Sequence, residues 1–194
     1  MQDILQQSAQ RSLYSMDKLR SLHTLAARCA NIDGDSIEVG VYSGGTARVI
    51  CKTLPNKIVH LFDRFAKGLP PVSEFEEGSR FQEGILACGI DIVKNFLRDC
   101  PNARYYEGWF PDTTIDMPDD VRFSFAHFDG DHYQTLVNFL DYVYPRMNKG
   151  GIILFDDYKY YELPGVEKGL TDFLMDKPET ITELHTYLAY FVKE

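Results

Sequence analysis

Two short apolar runs of this 194-residue chain each end directly in a group of aspartates. The run Arg122–Phe128 leads into Asp129-Gly130-Asp131, and the run Gly151–Phe155 leads into Asp156-Asp157. Both runs are short and rich in aromatic and β-branched residues, which is typical of buried strands. Side chains at the carboxyl ends of parallel strands converge on one crevice. We therefore expect the two groups of aspartates to lie together.

Such a cluster of carboxylates needs a compensating cation, because like charges at short range raise one another's pKa. Hard oxygen ligands favour Mg²⁺, Mn²⁺ or Ca²⁺ over zinc. The sequence thus predicts a divalent metal site at one edge of a sheet.

Strands and helices alternate along most of the chain. Predicted strands cover residues 36–41, 57–63, 103–107, 122–128 and 152–156. Helical periodicity covers residues 2–30 (one or two helices), 46–53, 80–100, 133–147 and 165–175. This alternation predicts an α/β fold, with a mostly parallel sheet covered by helices on both faces.

Two features depart from that alternation. The β-rich runs Thr180–Leu184 and Tyr187–Val192 are two residues apart, so we expect a tight hairpin and an antiparallel last strand. A long connection with glycine and two prolines, residues 64–80, is expected to act as a lid. We expect one domain over residues 1–194, with residues 1–31 as an N-terminal helical segment.

The composition restricts the class of partner. The chain has 29 acidic and 20 basic residues and a net charge of −9, which disfavours nucleic acid and anionic membranes. Its four cysteines are widely spaced, which favours free thiols and a reducing compartment. No apolar run approaches the roughly 18 residues of a membrane span, and the first residues do not resemble a signal peptide. We expect a cytoplasmic protein that acts on a small molecule.

A glycine-rich segment, Glu38-Val39-Gly40-Val41-Tyr42-Ser43-Gly44-Gly45-Thr46, joins the first predicted strand to its helix. Such a loop lets a ligand approach the backbone, although a tight strand-to-helix turn would need the same small residues. The glycines do not follow the G-x-G-x-x-G pattern of a dinucleotide site. Asp63 ends the second strand about 20 residues further on, where a carboxylate can bind both ribose hydroxyls. Together these features favour a cofactor that contains a nucleoside.

Six motifs occur in one order between residues 30 and 175. They are Glu38–Gly45, Phe62–Pro70, Gly108-Trp109-Phe110-Pro111-Asp112-Thr113, Asp129-Gly130-Asp131-His132-Tyr133, Tyr144–Gly151 and Asp156-Asp157-Tyr158. In this combination the chain resembles the TylF/MycF/NovP (macrocin O-methyltransferase) family of class I S-adenosylmethionine-dependent methyltransferases. The resemblance implies a Rossmann-like fold with a seven-stranded sheet, and methyl transfer to a hydroxyl of a sugar diol or a catechol-like natural product.

The resemblance also implies roles for individual residues. Asp63 would hold the ribose of S-adenosylmethionine, and Asp131 would be the general base. The adenine would be bordered by Gly108, Trp109 and Phe110. The methionine end would be lined by Glu38, Gly40, Tyr42, Ser43, Gly44 and Thr46. A divalent cation, Mg²⁺ or Mn²⁺, would be bound by Asp129, Asp156 and Asp157.

Several alternatives stay open. Asp131 could instead cap the helix that begins near Tyr133, and Trp109 could be a core residue. Residues 64–100 contain no histidine, unlike the lid of some macrolide-sugar enzymes, so the base could also be a lid glutamate, or the metal alone could acidify the acceptor.

Two other functions compete with methyl transfer. One is a non-catalytic protein that binds S-adenosylmethionine and regulates a partner. The other is a magnesium-dependent phosphoryl-transfer enzyme with Asp129 as nucleophile, although such motifs normally stand near the start of their fold. A homodimer is a further open expectation.

Overall fold

The computed structural model describes all 194 residues, which form six α-helices and one seven-stranded sheet. The helices are α1 (Gln2–Ala9), α2 (Met16–Arg28), α3 (Gly45–Thr53), α4 (Ile90–Phe96), α5 (Tyr133–Val143) and α6 (Pro164–Leu174). The strands are β1 (Asp35–Val39), β2 (Val59–Asp63), β3 (Ala103–Glu107), β4 (Phe123–Phe128), β5 (Met147–Phe155), β6 (Thr182–Glu183) and β7 (Ala189–Val192).

The strand order is β3-β2-β1-β4-β5-β7-β6. Strands β1 to β5 pair in parallel, and β7 runs antiparallel to both β5 and β6. The predicted sheet, mostly parallel with an antiparallel last strand, is therefore confirmed. The hairpin is less tight than predicted, because β6 ends at Glu183 and β7 begins at Ala189. Thr186 and Tyr187 in this connection both have positive φ.

Helices cover both faces of the sheet, as predicted. On one face, buried residues of α1, α2, α3 and α4, such as Leu22, Ile50 and Val93, pack on the strands. On the other face, α5 and α6 contribute residues such as Phe139 and Leu170. Burying side chains of this size stabilises the fold by about 1.5–3 kcal/mol each. These two cores hold the strand ends, and therefore the loops after them, in fixed positions.

The helix predicted over residues 80–100 is wrong for its first half, since α4 spans only Ile90–Phe96. Gly84 and Leu86 have positive φ, which interrupts a right-handed helix. The segment instead folds back on the lid through backbone hydrogen bonds that join Leu69 to Gly84 and Ile85. The loop between β2 and α4 covers residues 64–89 and is therefore longer than the predicted lid. We call this whole loop the lid.

The boundary between α5 and β5 also differs from the prediction. The helix ends at Val143 and gives way to a 3-10 turn over Tyr144–Arg146, because Pro145 has no N–H to continue it. Strand β5 already begins at Met147, before the predicted start at residue 152, and its pairing with β4 is irregular between Phe123 and Phe125.

All four cysteines are free; Cys29, Cys51 and Cys100 are buried and Cys88 is partly exposed. No helix of the fold has both the length and the apolar character that crossing a membrane requires.

Candidate functional site

A cavity of about 300 Å³ opens at the carboxyl ends of the central strands. Most of the residues expected at the site line it: Gly40, Tyr42, Thr46, Asp63, Gly108, Trp109, Phe110, Asp129, Asp131, Asp156 and Asp157. Glu38, Ser43 and Gly44 do not line the cavity. Ser43 donates to the carbonyl of Arg11 at 2.8 Å, and Gly44 faces α4. Parallel strands thus bring together acids that are far apart in the sequence.

The loop after β1 approaches the backbone that follows β4. Gly40 has φ +90°, and a Cβ added there would lie 2.0 Å from the carbonyl oxygen of Asp129. Only glycine fits this position. The close approach places the glycine-rich loop directly beside the backbone of the acidic cluster, and both line one cavity.

Asp63, at the end of β2, holds the same loop in place. Its Oδ2 accepts hydrogen bonds from the N–H groups of Val41 at 2.7 Å and Tyr42 at 2.8 Å. Its Oδ1 accepts a hydrogen bond from the backbone N–H of Phe65. Burial raises the pKa of Asp63, although these hydrogen bonds favour its charged form. One lone pair of Oδ1 stays free to accept from a ligand hydroxyl.

Trp109 and Phe110 form an aromatic wall beside Asp63. Phe110 packs edge-on against Phe62, with ring centroids 5.2 Å apart, and is buried. Trp109 is partly exposed to the cavity, and the guanidinium of Arg64 lies 5.5 Å from its ring centroid. Trp109 therefore has a face open to a ligand, in contrast to the alternative of a core residue.

Three carboxylates, those of Asp129, Asp156 and Asp157, have oxygens within 4.8 Å of one another. We call them the carboxylate triad. Asp129 follows β4, and the other two follow the neighbouring strand β5. Oxygen ligands of Mg²⁺ or Ca²⁺ lie 2.0–2.6 Å from the ion and therefore up to about 5 Å from one another, so the spacing and the chemistry of these residues fit a divalent ion of this kind.

Electrostatic repulsion within the cluster is strong. Desolvation and then the charges of Asp156 and Asp131 raise the pKa of Asp129 well above its ordinary value. Desolvation and the charge of Asp156 raise the pKa of Asp157 to about 7. A bound divalent cation would relieve this repulsion, which is a second reason why the triad fits a metal.

Asp131 belongs to the same cluster but not to the triad. Desolvation, followed by the charges of Asp157 and Asp156, raises its pKa well above the ordinary value. The alternative in which Asp131 caps α5 is wrong, because the N-cap residue is His132 and the first N–H of the helix, at Tyr133, donates to Glu76 at 2.8 Å. The Asp131 carboxyl therefore faces the cavity and not the helix.

Glu76 fastens the lid to the body of the protein. It is fully buried, and its second oxygen accepts from the N–H and hydroxyl of Ser73. The ring of His132 bonds the lid from the same side, with Nε2 2.8 Å from the carbonyl oxygen of Phe81. None of the lid acids (Glu74, Glu76, Glu77 and Glu83) lines the cavity.

Lys18, from the first turn of α2, is a site residue that the sequence reading missed. Its Nζ lies 2.5 Å from Oδ1 of Asp156, and both side chains are largely buried. Burial disfavours the charge, but the charge of Asp156 and the hydrogen bond to it outweigh this, so the pKa of Lys18 is raised. Lys18 is therefore an ammonium inside the acidic cluster.

A buried chain of hydrogen bonds runs behind the site. The hydroxyl oxygen of Tyr14 lies 2.8 Å from Nε2 of His127, and Nδ1 of His127 lies 2.9 Å from Oε1 of Glu38. Because the carboxylate of Glu38 accepts a hydrogen bond from Nδ1–H, Nε2 carries no proton and accepts a hydrogen bond from the Tyr14 hydroxyl. Burial, and then the charge of Asp156, raise the pKa of Tyr14 well above its usual value, which keeps this donor neutral. No local pattern links these three residues in the sequence.

Aromatic side chains line the cavity beside the triad. Tyr160 packs against Tyr187 with ring centroids 5.0 Å apart, and Phe81 of the lid meets Tyr160 edge-on at 6.2 Å. Arg80 donates to the Tyr160 hydroxyl at 2.8 Å. No Asn, Gln or His side chain lines the cavity. This part of the wall therefore presents flat aromatic surfaces that carry tyrosine hydroxyls.

Known proteins resemble the chain in sequence. It is 29% identical over 143 residues to demethyldecarbamoylnovobiocin O-methyltransferase of Streptomyces niveus, which covers 66% of this chain and 54% of that protein. It is 30% identical over 144 residues to mycinamicin III 3''-O-methyltransferase of Micromonospora griseorubida, with 66% and 56% covered. The chain thus matches little more than half the length of these relatives.

Solved structures resemble it in fold. The O-methyltransferase NovP superposes with a TM-score of 0.79 at 24% identity, covering 94% of this chain and 82% of that chain. The calicheamicin methyltransferase CalS11 gives a TM-score of 0.81 at 21% identity, with 94% and 80% covered. This similarity confirms the predicted Rossmann-like, class I methyltransferase fold.

The family-level comparison covers most of the chain. Residues 8–191 match the model of the family described as macrocin-O-methyltransferase (TylF). The match includes the N-terminal residues Tyr14 and Lys18 as well as the six motifs. The chain therefore belongs to the macrocin O-methyltransferase (TylF) family.

Proposed function

We propose that this protein is an S-adenosylmethionine-dependent, divalent-metal-assisted O-methyltransferase that acts on a hydroxyl of a small molecule. One observation carries the proposal: the ribose-type acid Asp63 and the carboxylate triad line the same cavity. Membership of the family supports the same reaction and argues against the phosphoryl-transfer alternative.

The cofactor half of the cavity is the side with Asp63. The free lone pair on Oδ1 of Asp63 accepts a hydrogen bond from a ribose hydroxyl, and the exposed face of Trp109 borders the adenine. The loop at Gly40 and Tyr42 leaves room for the methionine end. Glu38 lies in β1 just before this loop, and its negative charge stabilises the positively charged amino group of the methionine. S-adenosylmethionine, when bound, supplies an electrophilic methyl group on a sulfonium.

The acceptor half is the side with the triad. Asp129, Asp156 and Asp157 would hold Mg²⁺ or Mn²⁺, and the bound ion would supply Lewis-acid chemistry by lowering the pKa of an acceptor hydroxyl beside it. Asp131, which lines the cavity next to the triad and belongs to neither the lid nor the metal ligands, takes the proton of that hydroxyl. Since no lid acid lines the cavity, we do not assign the base to the lid.

The shape of the acceptor half favours a flat acceptor. Phe81, Tyr160 and Tyr187 offer aromatic surfaces against which a planar aromatic ring can pack. Among the two acceptor classes that the family resemblance suggests, we therefore favour a catechol-like diol over a sugar diol.

Two measurements test the proposal. Calorimetry with S-adenosylmethionine should detect binding, and the radiolabelled cofactor with Mg²⁺ should label catechol faster than methyl rhamnoside, a vicinal-diol sugar. The variant Asp176→Asn, at an exposed residue outside the cavity, should behave as the wild type. Failure to bind S-adenosylmethionine would overturn the proposal. Binding without transfer to either probe would favour the non-catalytic alternative, and preference for the sugar would overturn the acceptor class.

A further inference from the structure

Lys18 is held rigidly beside the triad. It stands in the first turn of α2, where its backbone N–H donates to the side chain of the N-cap residue Ser15 at 3.2 Å. Its ammonium lies 5.0 Å from the ring centroid of Tyr14 and 2.5 Å from Oδ1 of Asp156. Only 13% of the Lys18 side chain is exposed. The charge is therefore fixed in place and poorly screened by water.

A divalent ion at the triad would compete with this ammonium for Asp156. The ion must lie within about 2.6 Å of a carboxylate oxygen to be coordinated. If it used Oδ1 of Asp156 while Lys18 kept its contact of 2.5 Å, the two cations would be no more than about 5 Å apart. At this distance in a partly dry cavity they repel strongly. Tight binding of the metal through Oδ1 therefore requires the ammonium to move.

We infer that Lys18 is the built-in counter-ion of the carboxylate triad, that a divalent cation binds by displacing it from Asp156, and that Lys18 thereby sets the metal affinity of the site. This inference rests on the metal-assisted function proposed above. Lys18 then has two effects. Its charge stabilises the crowded carboxylates when no metal is bound, and the same charge lowers the affinity of the site for the metal.

Titration with Mn²⁺, followed by electron paramagnetic resonance of the free ion, tests the inference without an activity assay. Lys18→Met should bind Mn²⁺ at least about tenfold more tightly than the wild type, because it removes the competing charge. Lys18→Arg keeps the charge and should stay near the wild-type affinity. Lys168→Met is the matched control, since Lys168 pairs with Asp172 on the exposed surface of α6 and should leave the affinity unchanged.

Thermal unfolding provides an independent readout. In EDTA, Lys18→Met should melt below the wild type, because the triad has lost its counter-ion. Added Mn²⁺ should raise its melting temperature more than that of the wild type, since at equal concentration a ligand with a lower Kd for the folded state stabilises it more.

The outcomes separate this inference from the proposed function. Equal or weaker Mn²⁺ binding by Lys18→Met overturns the role of Lys18 but leaves the metal site standing. The absence of Mn²⁺ binding in both proteins overturns the metal site together with this inference, whereas binding of S-adenosylmethionine would still support the cofactor half of the proposal. If Lys18→Met does not fold, Lys18→Gln replaces it and the same comparison applies.

Discussion

The carboxylate of Asp63 accepts a hydrogen bond of 2.8 Å from the backbone N–H of Tyr42, across the gap between the ends of β2 and β1. Tyr42 has φ +48°, a conformation that is costly for a residue with a side chain. Besides its proposed contact with the ribose, Asp63 therefore stabilises the loop conformation that forms one wall of the cavity.

Replacing Asp63 with alanine should weaken binding of S-adenosylmethionine by about 1.5–3 kcal/mol, because the charge-assisted hydrogen bonds to the ribose are lost. The loop should also loosen, so the unliganded protein should show faster amide exchange at Val41 and Tyr42. Calorimetry and hydrogen exchange measure the two effects. Asp119→Ala, at an exposed loop position, is the control. Unchanged affinity would remove Asp63 from the binding site.

Local patterns in the sequence predicted the sheet and much of the cavity for a physical reason. A strand that ends in an acid, such as Phe62-Asp63 or Phe155-Asp156, can be recognised from neighbouring residues alone. Parallel pairing then brings the acids to one edge of the sheet. Lys18 could not be found in this way, because its contact with Asp156 joins residues 138 positions apart and depends on how α2 packs.

The lid shows a second reason why the sequence did not predict the whole structure. Helical spacing of apolar residues continued through residues 80–89, but the positive φ at Gly84 and Leu86 and the backbone contacts to Leu69 prevent a helix there. Similarly, Asp131 stands where a helix cap is expected, yet Glu76, from a distant loop, performs that role. In both cases, tertiary contacts override the structure that the local sequence pattern predicts.

Changing Asp156 to asparagine should remove metal-dependent methyl transfer but leave binding of S-adenosylmethionine within about twofold of the wild type. Asp156 is a member of the triad, whereas the cofactor half of the cavity is on the side of Asp63. Mn²⁺ titration, calorimetry and the transfer assay measure the three properties, with Asp176→Asn as control. An equal loss of cofactor and metal binding would contradict the division of the cavity into two halves.

Glu76→Ala should destabilise the protein by about 1–3 kcal/mol, because the N–H of Tyr133 and both donors of Ser73 lose their buried acceptor. Hydrogen exchange over residues 73–89 should become faster, since the lid loses its attachment to α5. Urea unfolding and exchange mass spectrometry check these effects. Glu77→Ala, at the exposed neighbouring position, should change neither. Similar behaviour of the two variants would mean that Glu76 does not anchor the lid.

The stability of the metal-free protein should fall as the pH rises from 5 to 8. The pKa values of Asp129 and Asp131 are well above the ordinary value, and that of Asp157 is raised to about 7. The folded state therefore binds more protons than the unfolded state from about pH 4 to 7, and the free energy of unfolding decreases across that window. Urea unfolding in EDTA measures this slope. Asp157→Asn should flatten it, and Mg²⁺ should restore stability at pH 8 if the triad holds the metal. A stability that instead rises between pH 5 and 8 would show that these carboxyls are already ionised and tolerated in the folded protein.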